Sequence, residues 1–303
     1  MNVTFRQLRV FAEVARQGSV TRAAETLHLT PPAVSMQIRE VEQQAGLPLF
    51  DRSARRLQLS AAGADFLVYA RRLLATLKEA DDAMARLRRL DSGALTIGMV
   101  SSAKYFLPQL LAAFHATHPG IEVRLKLGGR EALAQLMTDN VIDLAVMGRP
   151  PKDFPAEVQP FAAHPHVLVT SPQHRFVGAG RVSAAALADQ PFIVREPESG
   201  TRSALQEFLD EHRLQPAFVM EMASNEAIKQ AVMAGLGVSL LSLHTIGLEW
   251  QQRLIAVPEV EGLPLMRRWH VVSRAGRPLS PAAEAMRRFI GERGEPHLQA
   301  MFG

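Results

Sequence analysis

A break of three residues near the N-terminus restricts the fold of this chain more than any other feature. Apolar residues recur at helical spacing in Val20–Leu27 before the break and in Val34–Val41 after it. Each set forms one apolar stripe along a helix. Because only residues 28–30 join the two helices, the chain turns a sharp corner there, which predicts a helix-turn-helix.

The helix after this corner is predicted to present a polar face that becomes basic further along. Thr30 precedes the helix as an N-cap, and Pro31 takes its first position, where no N–H is needed. Short polar side chains followed by arginine suit a DNA major groove, and a helix N-terminus points N–H groups at a phosphate. The alternative is the solvated face of a small helical bundle. The side chains opposite or beside the apolar stripe are Pro32, Ser35, Met36, Arg39 and Gln43.

Two short apolar runs, Leu47–Phe50 and Leu57–Ser60, flank the arginine-rich segment Asp51–Arg56. This pattern predicts a hairpin with a basic tip, a wing whose Arg52, Arg55 and Arg56 can contact phosphates or the minor groove. Residues 1–90 hold 14 basic and 9 acidic residues, a net charge of +5. Residues 91–303 hold 20 basic and 21 acidic residues, a net charge of −1. Such asymmetry indicates a polyanionic partner for the N-terminal third alone.

The segment from Ala61 to Leu90 contains no proline, and its apolar residues alternate at spacings of four and three. A heptad pattern of this length predicts a helix of about 45 Å that pairs with a second copy, forming a dimer contact. The alternative is a helix packed along its own domain. The seam residues are Phe66, Ala70, Leu73, Leu77, Ala80, Met84 and Leu87.

Asp91–Gly93 is predicted to end this helix, and short strands then alternate with helices. This order predicts a mostly parallel α/β architecture in two subdomains, joined by crossings at 150–155 and 261–264. The domains are a winged helix-turn-helix at 1–60, a linker helix at 61–90 and a C-terminal domain at 91–303. Subdomain I covers about 94–161 and 266–303, and subdomain II about 162–265. The predicted strands are Leu95–Val100, Ile121–Leu127, Leu144–Met147, Val167–Thr170, Phe192–Val194, Phe218–Met220, Val238–Leu241 and His270–Ser273.

The strand Leu95–Val100 ends in Ser101, Ser102 and Lys104, just before a helix. Ligands of open α/β sheets bind beyond the carboxyl ends of strands, so a serine pair with a cation there predicts a carboxylate or phosphate site. Subdomain II offers a similar turn that leads into a helix, and further cations lie nearby. A plain helix cap is the alternative at both places. The remaining candidate ligand-binding residues are Arg149, Arg195, Gly200, Thr201, Arg202 and Asn225.

Several other classes of protein are disfavoured. There is no apolar run of 18 residues and no secretory signal, so no membrane partner is expected and the cytoplasm is the default location. Cysteine is absent, which excludes thiolate chemistry. Ser101 and Lys104 match the nucleophile motif of serine acyl-enzymes, but the companion motifs are missing. We expect no catalytic residue, no metal and no cofactor other than a small-molecule effector.

At this point a family resemblance is apparent. Gly18–Ile38 resembles the DNA-binding signature of LysR-type transcriptional regulators, and Leu47–Arg52 with Leu57–Gly63 resembles their wing and the start of their linker helix. Residues 94–303 resemble their effector domain, so the resemblance covers the whole chain. Glu221–Gln230 and Trp269–Val272 resemble a narrower group, the CbbR-type activators of carbon-dioxide-fixation operons.

The resemblance implies a winged helix-turn-helix, a dimerising linker helix and a C-terminal domain similar to periplasmic binding proteins. It implies a homodimer or homotetramer that bends promoter DNA, with a small effector between the subdomains retuning the bend. A helical wheel places Gln37 on the buried flank, unlike Ser35 and Arg39. The family's DNA-contacting positions correspond here to Thr30, Pro31, Pro32, Ser35, Gln37, Arg39 and Arg52.

The sequence therefore predicts a DNA-binding activator of a CbbR-like operon, controlled by a small anionic or phosphorylated metabolite. Two alternatives come from other classes of protein. One is a solute-binding protein with an N-terminal extension, which would carry a secretory signal. The other is an acyl-transfer enzyme that uses Ser101 and Lys104.

Overall fold

The computed structural model describes residues 1–51, 57–88, 93–151 and 154–302. The chain forms two compact units, Met1–Leu87 and Arg88–Gly303. In the described part of the chain, no helix combines the length and hydropathy needed to cross a bilayer. The helices are α1 Phe5–Gln17, α2 Val20–Leu27, α3 Pro31–Ala45, α4 Ala61–Arg88, α5 Leu107–Thr117, α6 Arg130–Thr138, α7 Gly200–Glu211, α8 Asn225–Met233, α9 Gly247–Gln251 and α10 Pro281–Phe302. The strands are β1 Phe50–Asp51, β2 Gln58–Leu59, β3 Gly93–Met99, β4 Ile121–Leu127, β5 Leu144–Met147, β6 Ala156–Val169, β7 Phe192–Arg195, β8 Phe218–Met222, β9 Ser239–Ser242 and β10 Leu265–Arg274.

The N-terminal unit is a three-helix core in which the predicted corner is confirmed. Helix α2 ends at Leu27 and α3 begins at Pro31. His28 takes the left-handed conformation at φ 53°, which closes α2 without a glycine. Apolar faces of α1, α2 and α3 pack around the fully buried Phe11.

The predicted hairpin is formed by β1 and β2, which pair antiparallel with Phe50 opposite Leu59. Its basic tip, with Arg52, Arg55 and Arg56, lies outside the described residues. The hairpin is held against the start of α4, where a Cβ at Gly63 would lie 1.9 Å from the carbonyl oxygen of Leu49. Only glycine allows the backbones to approach this closely.

The C-terminal unit is built on a six-stranded sheet of order β4-β3-β5-β10-β6-β9. Strands β3, β4 and β5 are parallel, as are β7 and β8 in a separate sheet. However, β10 is antiparallel to both β5 and β6, and β6 is antiparallel to β9. The α/β class is confirmed, but the expectation of a mostly parallel sheet is wrong, because the longest pairing joins two antiparallel strands.

Those two strands, β6 and β10, connect the two halves of the C-terminal unit. Phe161 of β6 and Trp269 of β10 are buried in the subdomain I core, whereas Leu168 of β6 is buried in a subdomain II core. The crossings that sequence placed at 150–155 and 261–264 lead directly into these strands. The two subdomains are thus joined by a continuous antiparallel ribbon rather than by loops.

Candidate functional site

Two regions of the structure are candidates for function, and the first is the outer face of α3. Thr30, Pro31, Pro32 and Arg39 are exposed, and Ser35 is half-buried. Met36, between them, is 56% exposed, which is high for an apolar side chain. Gln37 points the other way: it is buried, and its Oε1 has no hydrogen-bond partner within the described parts of the chain. Among the predicted DNA-contacting residues at α3, Gln37 is therefore the least accessible to DNA.

The start of α3 does not offer the N–H groups that were expected to face a phosphate. Thr30 caps the helix, and its Oγ1 accepts a hydrogen bond from the N–H of Ala33 at 3.4 Å. Pro31 and Pro32 have no N–H, and the N–H of Val34 donates to the carbonyl of Thr30. No N–H of the first turn is left for a phosphate. The helix end therefore contributes side chains to this surface rather than a backbone anion site.

The predicted dimer seam divides into two parts along α4. Ala70 is fully buried in the core of the N-terminal unit, and the ring of Phe66 lies 5.1 Å from that of Phe11. Further along, Ala80 is exposed, Leu73 is 49% exposed and Met84 52% exposed. Leu77 is half-buried, and the side chain of Leu87 lies outside the described residues. The part of the seam open to a second chain therefore begins at Leu73.

The second region is a cavity of about 300 Å³ in the C-terminal unit, between the two subdomains. Six predicted ligand-binding residues line it: Ser101, Ser102 and Arg149 from subdomain I, and Arg195, Gly200 and Thr201 from subdomain II. Ser101 follows β3 and Arg149 follows β5, which are parallel neighbours in the six-stranded sheet, whereas Arg195 ends β7 of the separate sheet in subdomain II. The residues brought together come from distant parts of the chain.

Arg195 is the most constrained cation of the cavity, with 4% exposure. Its Nη1 donates to Oδ1 of Asn225 at 2.5 Å, and its Nε and Nη2 donate to the carboxylate of Glu196 at 2.7 Å. Asn225 is buried and does not line the cavity. Its place in the structure is behind Arg195, where it orients the guanidinium.

Two predicted cations, Lys104 and Arg202, also lie outside the cavity lining. Lys104 forms an ion pair with Glu226 at 2.8 Å, and Tyr105 donates its hydroxyl hydrogen to the same carboxylate. Burial raises the pKa of Glu226, but these hydrogen bonds outweigh it and lower that pKa to about 2. Arg202 donates to the carbonyl of Arg195 at 3.0 Å and stacks on Phe218. Both cations therefore connect parts of the protein rather than face a ligand.

Four side chains that sequence reasoning missed also line the cavity: Arg130, His164, His166 and Arg267. Arg130 begins α6, and Arg267 lies on β10, opposite His164 of β6. Both histidines fall in a stretch of β6 interrupted by Pro160 and Pro165. Proline argues against a central strand, so the alternation of His164 and His166 was not recognised as a strand face.

The cavity is electropositive. Four arginines and two glutamates line it, which gives a net charge of +2 when the histidines are neutral. Burial, followed by repulsion from nearby cationic groups, lowers the pKa of both His164 and His166, the latter to about 3. Glu207 of α7 accepts a hydrogen bond from Arg267 and lies 3.9 Å from Nη1 of Arg149. The excess of arginine over glutamate in the cavity lining favours the binding of a compact anion.

Comparison with known sequences gives matches across both units. Residues 5–64 match the profile of the bacterial regulatory helix-turn-helix protein, lysR family, and residues 88–295 match the LysR substrate binding domain. The chain is 46% identical to the HTH-type transcriptional regulator CfxR of Cupriavidus necator, over 99% of this chain and 95% of that protein. It is 43% identical to the RuBisCO operon transcriptional regulator of Allochromatium vinosum, over 96% of each.

A solved structure resembles the C-terminal unit. It is the regulatory domain of CcmR from Synechocystis PCC6803 in complex with 2-PG, which is 35% identical to this chain. The match has a TM-score of 0.64 and covers 66% of this chain and 97% of that domain.

Proposed function

We propose, because this chain belongs to the LysR family of bacterial regulatory helix-turn-helix proteins, that it is a transcriptional regulator whose promoter binding responds to a small anionic metabolite. The target proposed is a carbon-dioxide-fixation operon. The name of the A. vinosum relative supports it, since that protein is described as a RuBisCO operon regulator and shares 43% of its residues with this chain. The expected effect on transcription is activation.

The observation that carries the proposal is the presence of both required surfaces in one chain. The face of α3 presents exposed Thr30, Pro32 and Arg39 together with half-buried Ser35, a mixture that suits base edges and phosphates. The cavity of the C-terminal unit presents four arginines to a compact ligand. A regulator of this kind needs one surface for DNA and another for its signal.

The proposed ligand is a phosphorylated small molecule. Bidentate arginine groups match phosphate geometry, and a cavity of about 300 Å³ holds a molecule of a few carbon atoms with one or two charged groups. The solved Synechocystis CcmR domain is in complex with 2-PG, which makes 2-PG the first compound to test.

The proposed assembly is a homodimer or homotetramer in the cytoplasm. Leu73 and Met84 are about half exposed on α4, and apolar side chains in this position favour pairing with a second α4. No membrane partner is proposed.

The acyl-enzyme alternative is not supported by the geometry of its two residues. A lysine that activates a serine must lie close to its hydroxyl and be able to take its proton. Instead, Lys104 forms an ion pair with Glu226, and the Oγ of Ser101 accepts a hydrogen bond from Arg195. The relatives described above are named as regulators, which also disfavours the solute-binding alternative.

The test is the affinity of the full-length protein for its own promoter DNA, measured by fluorescence anisotropy at several salt concentrations. Arg39→Ala should weaken binding and reduce the slope of log affinity against log salt by about one if the side chain contacts a phosphate. Arg288→Ala is the control, because Arg288 is also exposed but lies on α10. Equal effects of the two substitutions would contradict the assignment of α3 to DNA.

A further inference from the structure

The two histidines of the cavity lack partners. His164 and His166 are 4% and 1% exposed, and all four of their ring nitrogens are buried. Among the residues that the structure describes, no side chain forms a hydrogen bond with these nitrogens, and only the backbone of His164 lies close enough to the His166 ring to raise its pKa. Buried polar groups are nearly always hydrogen-bonded, so a buried pair without partners calls for an explanation.

The pair is held in place from several sides. Alternate residues of a strand face the same way, and both imidazoles line the cavity with ring centroids 4.3 Å apart. The His164 ring stacks on Trp269 at 3.9 Å, with an interplanar angle of 18°. A Cβ on Gly148 would lie 2.7 Å from Nδ1 of His164, so any larger residue there would collide with the ring. The rings are therefore held at the cavity wall, and because their nitrogens are not accessible to solvent, a ligand contacts them only when the cavity opens further.

We propose that His164 and His166 hydrogen-bond to the anionic oxygens of the cavity's ligand, and that ligand binding transfers a proton from solvent to the pair. The proposal rests on the function proposed above and narrows it to a ligand whose phosphate group lies against the two imidazoles. Each neutral imidazole supplies one N–H donor, and a protonated one supplies two. A phosphate dianion at hydrogen-bond distance stabilises the protonated form.

The charges around the pair explain why it is neutral without the anion. Arg267 faces His164 across the β6–β10 pairing, and the ring of His244 lies 6.0 Å from that of His164. Burial and these groups lower the pKa of both histidines. The negative charge of an anion in the cavity offsets the repulsion between these cations and a protonated histidine, so protonation of the pair becomes more favourable. The other titratable or charged groups near the pair are His270 of β10 and the cavity-lining Arg130, Arg149, Arg195, Glu196 and Glu198.

The first test uses the unmodified full-length protein. Titration calorimetry with 2-PG and with phosphoenolpyruvate, in buffers of different ionisation enthalpy between pH 5.5 and 8, counts the protons taken up on binding. The pH titration of each free compound gives the number of protons that it would lose on binding as a dianion, and the measured proton change is corrected for this loss. We expect the remainder to be an uptake by the protein that increases as the pH falls below about 6.5, the usual pKa of histidine. A remainder of zero at every pH would overturn the proposal.

The second test separates the two histidines from the rest of the cavity. His166→Phe keeps a ring but removes its donors, and should weaken binding by about ten- to a hundredfold and abolish part of the excess uptake. His166→Gln keeps a donor and should restore most of the affinity, but the part of the uptake that His166 contributes should stay lost. His115→Phe is the control, because His115 is exposed on α5 and does not line the cavity.

Each outcome has a defined meaning. Thermal unfolding of each variant shows whether it folds, and the proton count of the unmodified protein decides the question if His166→Phe does not. Equal affinities of the His166→Phe variant and the unmodified protein would overturn the histidine contact but leave the proposed regulator intact. Failure of the unmodified protein to bind either compound would overturn this proposal together with the proposed ligand class, whereas loss of promoter binding alone would contradict only the DNA assignment.

Discussion

Nη2 of Arg195 donates a hydrogen bond to Oγ of Ser101 at 3.3 Å, which links the two subdomains across the cavity. Ser101 follows β3 of subdomain I, and Arg195 ends β7 of subdomain II. Both residues line the cavity, so we expect a ligand there to compete with this hydrogen bond between the subdomains.

Asn225 should affect ligand binding although it does not line the cavity. Asn225→Ala removes the acceptor of the 2.5 Å hydrogen bond from Arg195 and leaves a buried cation with one partner fewer. Loss of a hydrogen bond to a charged group costs about 1.5–3 kcal/mol, so we expect a lower free energy of unfolding and ligand affinity reduced severalfold. Urea denaturation and calorimetry measure the two effects. Asn225→Asp keeps an acceptor, so it should reduce the ligand affinity and the free energy of unfolding by less. If both substitutions leave the affinity unchanged, Asn225 does not position Arg195.

Glu207 should weaken anion binding in the unmodified protein. Its carboxylate accepts a hydrogen bond from Arg267 and lies 3.9 Å from Arg149, so it competes with a ligand for both guanidinium groups. Glu207→Gln should therefore raise the affinity for 2-PG or phosphoenolpyruvate severalfold in calorimetry. The control is Glu211→Gln, a substitution one helical turn further along α7 at another exposed glutamate. A decrease in affinity on Glu207→Gln would show that the carboxylate helps to hold the arginines in place.

The sequence predicted part of this cavity, and the reasons for the rest are physical. Ser101, Arg149 and Arg195 were accessible to prediction because each ends or follows a strand recognisable from its apolar run. His164 and His166 were not, because prolines interrupt β6 and hide its alternation. Asn225 was among the predicted residues, but its place behind Arg195 and the presence of Arg267 in the cavity depend on which elements meet in the fold, and no local pattern encodes that. At α3, the expected phosphate contact of the helix N-terminus was wrong, because Pro31 and Pro32 have no N–H to offer.

The C-terminal unit should lose stability in mild acid. Burial lowers the pKa of His166 to about 3 and that of His244 to about 4, and it lowers the pKa of His164 as well. Between these values and about 6.5 the unfolded chain binds protons that the folded chain does not, so unfolding is favoured as the pH falls. Each such histidine contributes about 1.4 kcal/mol per pH unit within that range.

Tryptophan fluorescence measures this loss in the full-length protein, because both tryptophans, Trp250 and Trp269, lie in the C-terminal unit. The urea midpoint should decrease from pH 7.5 to pH 5.5. His166→Phe should reduce the dependence on pH, since one proton-binding group is removed. A midpoint that is constant over this range would contradict the burial of neutral histidines.

Two positions on α4 should separate dimerisation from folding. Leu73→Glu places a charge on a side chain that is 49% exposed, so the N-terminal unit should stay folded while the oligomer dissociates. Ala70→Glu places a charge in the core of the N-terminal unit and should unfold that unit. Light scattering gives the mass, and circular dichroism gives the helical content. An unchanged mass for Leu73→Glu would mean that this part of α4 does not form the contact.

The most direct test of metabolite-controlled promoter binding is a nuclease footprint of the full-length protein on the promoter region that adjoins its gene, with and without 2-PG or phosphoenolpyruvate. The expected result is a protected site whose length or bend-induced hypersensitivity changes when the compound is present. Arg195→Ala, which removes the most buried of the four arginines that line the cavity, should keep the protection and lose the change. The same footprint with and without each compound would contradict a ligand cavity coupled to DNA binding.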